Sequence, residues 1–167
     1  AKRIQGQWQV STVVGNAAAG EECELATVNQ QLTIAYRQGN QLRFATQNAN
    51  GAWVTEVADS PGTAVGHGLD YVVYNNEPFI AHRDATQGVL RVSRKTAGSW
   101  RHVSPLAVGT DTGFRPTIMV DDNGIRVFHG TVPTNADSNS DGTLWLSAGG
   151  LNDAQLSMFN FDDRSVG

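Results

Sequence analysis

The feature that most constrains the fold of this chain is the tripeptide Gly-x-Trp, which occurs three times and each time opens a short alternating apolar run. The copies begin at Gly6, Gly51 and Gly98, about 46 residues apart. A repeat of roughly 40 to 50 residues with several short strands is typical of β-propellers, in which each small sheet buries its faces against its neighbours. The spacing therefore predicts an all-β repeat protein.

Between the tryptophans, the same succession of short apolar runs returns in every repeat. The first runs begin at Cys23, Leu69 and Arg115, the second at Leu32, Pro78 and Ile125, and the third at Leu42, Leu90 and Leu144. The fourth runs begin at Trp53 and Trp100, and Leu156 takes the tryptophan position in the last repeat. Alternation and β-branched or aromatic content predict strands. We predict three four-stranded blades, at about 21–59, 66–106 and 113–163.

The amino-terminal segment 5–14 matches a fourth strand that has no first three strands before it. Residues 1–167 are therefore expected to form a single partial propeller domain. Propellers close with four to eight blades, and three would leave unpaired edges. We expect another chain, a missing part of a longer chain or a second copy to complete the ring. The polar, cuttable segment 162–167 favours a separate or cleaved partner over a homodimer.

Composition excludes several classes of protein. No window keeps the apolar spacing of a helix, and no apolar stretch is long enough for a membrane span. The net charge of −4, with scattered Lys and Arg, argues against nucleic-acid binding. The single cysteine, Cys23, excludes an internal disulfide; we expect a small buried apolar residue there, with pairing between chains as the alternative.

Two segments, 32–59 and 78–103, resemble the sialidase-like, or BNR-type, propeller repeats of bacterial extracellular and envelope proteins. The resemblance implies a propeller fold and a secreted or cell-surface location. Sialidases of this build hold a substrate carboxylate with three arginines. Arg37 and Arg83 occupy the same place in successive repeats, where the third repeat has Gly130. These two arginines are therefore candidate ligand-binding residues.

Two further segments bear on the resemblance. The tripeptide beginning at Phe114, Phe-Arg-Pro, is similar to the Phe-Arg-Ile-Pro element of sialidases but lacks the isoleucine. Residues 138–145 contain a degraded form of the Asp-box, with the acid one place late and the loop before the third strand. A propeller hosts hydrolases, lectins and scaffolds alike, so its function has to be argued from its sites.

The loop 137–142 has the sequence Asp-x-Asn-x-Asp-Gly, which resembles calcium loops between the strands of extracellular propellers. Ca²⁺ prefers oxygen ligands at alternate positions followed by a glycine turn. Asp137, Asn139 and Asp141 would supply side-chain oxygens and Thr143 its carbonyl oxygen. The bidentate glutamate of an EF-hand is absent. The sequence thus predicts a Ca²⁺ site, with a polar turn without metal as the alternative.

Tyr36, His82 and His129 occupy equivalent places in the second strands of the three repeats. In a ring, equivalent positions surround one axis, so these side chains are candidates to converge on a ligand or a transition metal. Their apolar neighbours favour the alternative of hydrogen-bonded structural side chains.

Taken together, these patterns predict a non-catalytic extracellular or cell-surface module that binds a protein partner or a glycan. The alternative is a fragment of a secreted sialidase-like glycoside hydrolase whose missing residues lie in other blades.

Overall fold

The computed structural model describes residues 2–15, 18–105, 110–133 and 142–160. Strands and turns make up these residues, and none of them lies in a helix. The prediction of an all-β fold is therefore confirmed. No helix that could span a membrane is present among the described residues.

The strands form three four-stranded antiparallel sheets and a two-stranded hairpin. The hairpin pairs β1 (Lys2–Ile4) with β2 (Gln7–Gln9). The first sheet contains β3 (Ala19–Val28), β4 (Gln31–Gln38), β5 (Gln41–Gln47) and β6 (Trp53–Asp59). The second sheet contains β7 (His67–Tyr74), β8 (Glu77–Asp84), β9 (Val89–Thr96) and β10 (Ser99–Val103). The third sheet contains β11 (Thr110–Asp121), β12 (Gly124–Pro133), β13 (Thr143–Gly149) and β14 (Ser157–Asn160).

Tight turns explain why neighbouring strands pair in chain order. The first two strands of a sheet are joined by Asn29-Gln30 in the first sheet and by Asn75-Asn76 in the second, all with positive φ. Two consecutive positive φ values match the twist of a two-residue hairpin, and asparagine tolerates this conformation better than most residues. Each sheet is consequently an up-and-down meander.

Two apolar cores hold the three sheets face to face. The first core lies between the first and second sheets and contains Ala35, Leu42, Phe44, Ala58, Val65, Leu69, Tyr71 and Ile80. The second lies between the second and third sheets and contains Phe79, Ala81, Leu90, Val92, Ile118, Ile125, Val127 and Leu156. The second sheet therefore buries both of its faces, as expected for a repeat that cannot fold in isolation.

The tryptophan positions confirm the repeat register but differ in burial. Trp53 pairs with Gln47 and Trp100 with Lys95, which are equivalent positions in the two sheets. The Trp100 ring packs edge-on against Phe44, with centroids 5.3 Å apart. Trp8, by contrast, is 68% exposed.

The amino terminus differs from the predicted closing strand at 5–14. Only Gln7–Gln9 of that segment is a strand, and it pairs with the additional strand β1. In the repeat alignment, β1 matches the end of a third strand and β2 matches the start of a fourth strand. The hairpin therefore corresponds to the end of one more repeat unit, rather than to a fourth strand alone.

Candidate functional site

The first strands of the three sheets lie side by side, because β3 contacts β7 and β7 contacts β11. Each of these strands has an irregular register near its start. A bulge of this kind turns side chains out of the regular alternation and is common beside functional sites. Here the bulges bring the starts of three strands to one cleft.

The cleft has a volume of about 330 Å³. It is lined by Glu22, His67, Gly68, Arg83, Gly113, Phe114 and Arg115. Glycine is required at position 113, where φ is +83° and a Cβ atom would lie 2.8 Å from the Cα of Leu90. A shallower groove continues from the cleft past Glu21, Cys23 and Glu24.

One wall of the cleft is built by Arg83. Its guanidinium binds both carboxylate oxygens of Asp111 at 2.7 Å and stacks over the ring of Phe114, 4.3 Å from the centroid. A bidentate pair of this kind fixes the orientation of both side chains. Phe114 stacks against Arg83 and is still 36% exposed, so it presents an apolar surface to the cleft.

The opposite wall contains Glu22 and His67. Glu22 accepts hydrogen bonds from the backbone amides of Gly68 and Leu69, which ties the first sheet to the second. The Nη1 atom of Arg37 donates to Nε2 of His67 at 3.4 Å, so the imidazole proton is assigned to Nδ1, which lies 3.9 Å from a Glu22 oxygen. Desolvation, followed by the charge of Arg37, lowers the pKa of His67. The imidazole is therefore neutral at pH 7.

Arg115 differs from the other arginines of the cleft. Its side chain is exposed and forms no hydrogen bond or ion pair with a described residue. Its φ of 46° lies in the left-handed region, which costs a non-glycine residue about 1 to 2 kcal/mol. Strand pairing shifts the predicted repeat alignment by one residue here, because Asp70 pairs with Ala81 and Thr117 with Phe128. The position equivalent to Arg115 is therefore Gly68 rather than Leu69, and Gly68 has a similar φ of 59°. A strained residue at a cleft, with a cation that no described residue pairs, is a feature that suggests function.

The histidines of the second strands lie inside their own sheets. Nδ1 of His82 accepts the amide proton of Gly66 at 3.3 Å, so Nε2 donates to Ser93 Oγ at 2.9 Å. His129 repeats the arrangement with the Gly113 amide at 3.3 Å and Ser147 Oγ at 2.8 Å. These bonds are those expected for structural histidines, the alternative stated above.

Burial also decides the charge of these side chains. Desolvation lowers the pKa of His82 to about 3 and lowers the pKa of His129, so both are neutral at pH 7. Tyr36, in the equivalent place of the first sheet, is buried, and its hydroxyl has no partner among the described residues. Of the predicted arginines, one position further along each strand, Arg83 lines the cleft, and Arg37 lies behind it and donates to His67, which lines it.

A buried ionic cluster, which the sequence analysis missed, joins the first two sheets. Asp59, 4% exposed, accepts from Nε of Arg91 at 2.7 Å and from Nη2 at 3.3 Å. Nε2 of His82 and Nδ1 of His102 lie 3.6 and 3.7 Å from the same carboxylate. Ser93 bridges the two imidazoles, at 2.9 Å from each. The only feature of the sequence that could have indicated this cluster was an acidic residue, Asp59, at the end of an apolar strand.

The predicted calcium loop falls almost entirely beyond what the structure describes. Asp137, Asn139 and Asp141 are not among the described residues, and Thr143 is the first residue of β13. Its hydroxyl accepts from Trp145 Nε1 at 2.8 Å. Within the described ranges, no group of three or more His, Cys, Asp or Glu side chains could hold a metal ion. The Ca²⁺ site stays a prediction.

Cys23 is exposed, so the expectation of a buried cysteine is wrong. Its repeat equivalent, Leu69, faces the first sheet and is buried there. Cys23 lies on the corresponding face of the first sheet, which faces away from the second sheet. No described sheet packs against that face.

Comparison with known proteins gives no relative from which a function can be transferred. No family model matches this chain, and no curated protein or solved structure is significantly similar to it.

Proposed function

We propose that this chain is part of a β-propeller and acts as a non-catalytic binding module of an extracellular or cell-surface protein. The observation that carries the proposal is the stacking of three four-stranded meanders in chain order, with their first strands side by side. In a propeller the first strands surround the central axis, and ligands commonly bind where they begin. The cleft at Phe114 lies at such a position.

The chemistry of the cleft favours an acidic glycan as its ligand. The exposed ring of Phe114 offers an apolar face to the C–H groups of a sugar, and the Arg83 guanidinium stacks over the ring. Arg115 supplies a cation without a partner among the described residues, and Glu22 supplies a fixed carboxylate that can accept from hydroxyl groups. A small number of rigid polar groups around an apolar surface is typical of specific ligand sites.

The test is binding to an array of neutral and acidic oligosaccharides, followed by calorimetry with the best ligand. We expect Arg115→Ala to weaken binding at least tenfold, because a charge-assisted hydrogen bond contributes about 1.5 to 3 kcal/mol. Phe114→Ala should also weaken binding, because it removes the apolar ring face that the sugar would contact. Arg101→Ala is the matched control, since Arg101 is an exposed arginine on β10, away from the cleft. Binding to none of the oligosaccharides, or equal affinity for all variants, would refute the proposal.

The alternative function, a sialidase-like glycoside hydrolase, is favoured by one observation: Arg115 lies in a Phe-Arg-Pro element and has no partner among the described residues. Arg37 and Arg83 weigh against it, because they form ion pairs with Glu21 and Asp111 and are only 16% and 14% exposed. A carboxylate clamp would have to displace both acids. Release of fluorophore from a fluorogenic sialoside, lost in Arg115→Ala, would establish the hydrolase and overturn the non-catalytic proposal.

A further inference from the structure

Two polar side chains, Tyr36 and Arg43, lie on the face of the first sheet that is turned away from the second sheet. The two residues are directly paired across β4 and β5. Their strand neighbours Ala35, Leu42 and Phe44 lie in the first core, so alternation along the strands directs Tyr36 and Arg43 to the opposite face. We call this surface the first-sheet outer face. Directly paired residues have their Cβ atoms about 5 Å apart, so one small group can contact both side chains.

Both side chains carry buried donors that no described residue satisfies. Tyr36 is 2% exposed, and its hydroxyl has no hydrogen-bond partner among the described residues. The buried Nε of Arg43 has none either. The rest of its guanidinium contacts only neutral groups there, Gln41 Oε1 at 3.3 Å and Thr55 Oγ1 at 3.5 Å. Buried donors are rarely left unsatisfied, and a charged donor is the most costly to leave so, which indicates that an acceptor is missing.

The second sheet shows which acceptor this pair of positions binds. His82 pairs with Arg91 across β8 and β9, in the places equivalent to Tyr36 and Arg43. The Asp59 carboxylate of the first sheet accepts from Nε of Arg91 at 2.7 Å and from Nη2 at 3.3 Å. Nε2 of His82 lies 3.6 Å from the same carboxylate. In the complete interface, these two positions therefore hold a carboxylate from the preceding sheet.

The amino-terminal segment lies on the first-sheet outer face but lacks the corresponding acid. Trp53 donates from Nε1 to Ser11 Oγ at 3.3 Å, which places the segment against this face. Val14 follows Trp8 at the same distance in sequence as Asp59 follows Trp53. A valine side chain has no hydrogen-bond acceptor. The place in the repeat that supplies the carboxylate to the second sheet is thus apolar where it faces the first sheet.

We propose that Tyr36 and Arg43 form a buried binding site for a carboxylate group, between the first sheet and the amino-terminal segment. Nε and Nη2 of Arg43 bind the two oxygens side by side, as Arg91 binds Asp59, and the Tyr36 hydroxyl donates to one of them. The long bond from Nη2 to Thr55 Oγ1 is then exchanged for a charge-assisted one. Neither Tyr36 nor Arg43 lines the cleft at Phe114, so the inference goes beyond glycan binding.

The experiment is urea unfolding at pH 7 and constant ionic strength, with sodium formate replacing sodium chloride. A ligand that binds only the native state raises the unfolding midpoint as its concentration increases. We expect formate to stabilise the wild type, and Tyr36→Phe and Arg43→Gln each to weaken its apparent affinity about tenfold. Tyr36→Phe removes only a hydroxyl, so it remains informative if Arg43→Gln does not fold. Arg101→Gln and Arg115→Gln are the controls, one on exposed β10 and one at the cleft, and both should respond as the wild type does.

A second pair of variants supplies the carboxylate from within the chain. Without formate, Val14→Asp should be more stable than Val14→Asn, and this difference should disappear when each is combined with Arg43→Gln. Stabilisation by formate that requires Arg43 assigns the site to a free carboxylate. Stabilisation only in Val14→Asp, again requiring Arg43, assigns it to an acidic side chain of a neighbouring segment.

The proposal is overturned if neither formate nor Val14→Asp stabilises the protein, or if the gain is the same with Arg43→Gln. It is also overturned if Arg115→Gln abolishes the response to formate, because the carboxylate would then bind at the cleft. None of these results decides whether the cleft binds a glycan, so the two proposals can fail separately.

Discussion

Replacing Asp59 by alanine should weaken the contact between the first and second sheets more than any surface substitution. Asp59 is 4% exposed and is the only carboxylate that pairs with Arg91 among the described residues. The variant would leave the Arg91 guanidinium, 17% exposed, without a counter-ion beside two neutral imidazoles. Removing one partner of a buried ion pair typically costs about 3 to 5 kcal/mol. Because Arg91 retains some contact with water, we expect about 3 kcal/mol.

A second substitution should recover much of this loss. In Asp59→Ala/Arg91→Met both charges are removed, and buried pairs replaced by apolar groups are often nearly neutral in stability. We therefore expect the double variant to be more stable than Asp59→Ala. Asp121→Asn is the matched control, because the Asp121–Arg126 pair is more exposed and asparagine can still accept from the Asn123 amide. Exposed pairs contribute less than about 1 kcal/mol.

The assay is urea unfolding at pH 7, with the midpoint and the slope m measured for each variant. A loss below about 1 kcal/mol for Asp59→Ala would show that the pair contributes little to stability. A double variant no more stable than Asp59→Ala would show that the loss comes from packing rather than from an unpaired Arg91. Either result would refute the reasoning.

Three further predictions concern other parts of the chain. Trp100→Ala should destabilise the protein by about 3 to 5 kcal/mol, because its ring packs against the first core. Trp53→Ala at the equivalent register should cost less, because Trp53 packs against neither of the two cores among the described residues; equal urea midpoints would contradict this. Burial lowers the pKa of His82 to about 3, so below pH 6.5 the unfolded state binds a proton that the folded state does not, and stability should fall as the pH falls from 6.5 towards 3. His82→Gln should reduce that dependence, and parallel stability–pH curves for the two proteins would count against it. Millimolar Ca²⁺ should raise the melting temperature of the wild type more than that of Asp141→Ala, and identical melting curves in chelator and in calcium would exclude the predicted site.

Local structure could be predicted because it depends on residues close in sequence. Alternating apolar residues and asparagine-rich turns specify a strand and its pairing with the next strand. Even Leu156 was correctly placed in the tryptophan position, since it precedes β14 and packs in the second core. The amino-terminal hairpin was incompletely predicted because β1 has only three residues and too little alternation to be recognised.

The candidate site could be predicted only in part. Arg37 and Arg83 were selected because equivalent repeat positions carried the same residue; Arg83 lines the cleft, and Arg37 contacts it only through His67. The roles of Glu22 and Asp111 were not predicted, because each bonds to a residue far away in sequence on a neighbouring sheet. Such partners depend on how one sheet is positioned on the next. The alternation of apolar residues along a strand does not predict that position.

The sequence by itself determined that the chain is all-β and which strands pair within each sheet, because pairing follows from period and turns. The first strands begin at Ala19, His67 and Thr110, earlier than the predicted Cys23, Leu69 and Arg115, because bulges near their starts break the alternation. Only the tertiary structure decided that His82 is buried and hydrogen-bonded to Ser93, that Cys23 is exposed and that Asp59 is paired with Arg91. Burial and charge pairing depend on which sheet covers which face. Equivalent positions in successive repeats acquire different environments because a middle sheet has two neighbours and an end sheet has one.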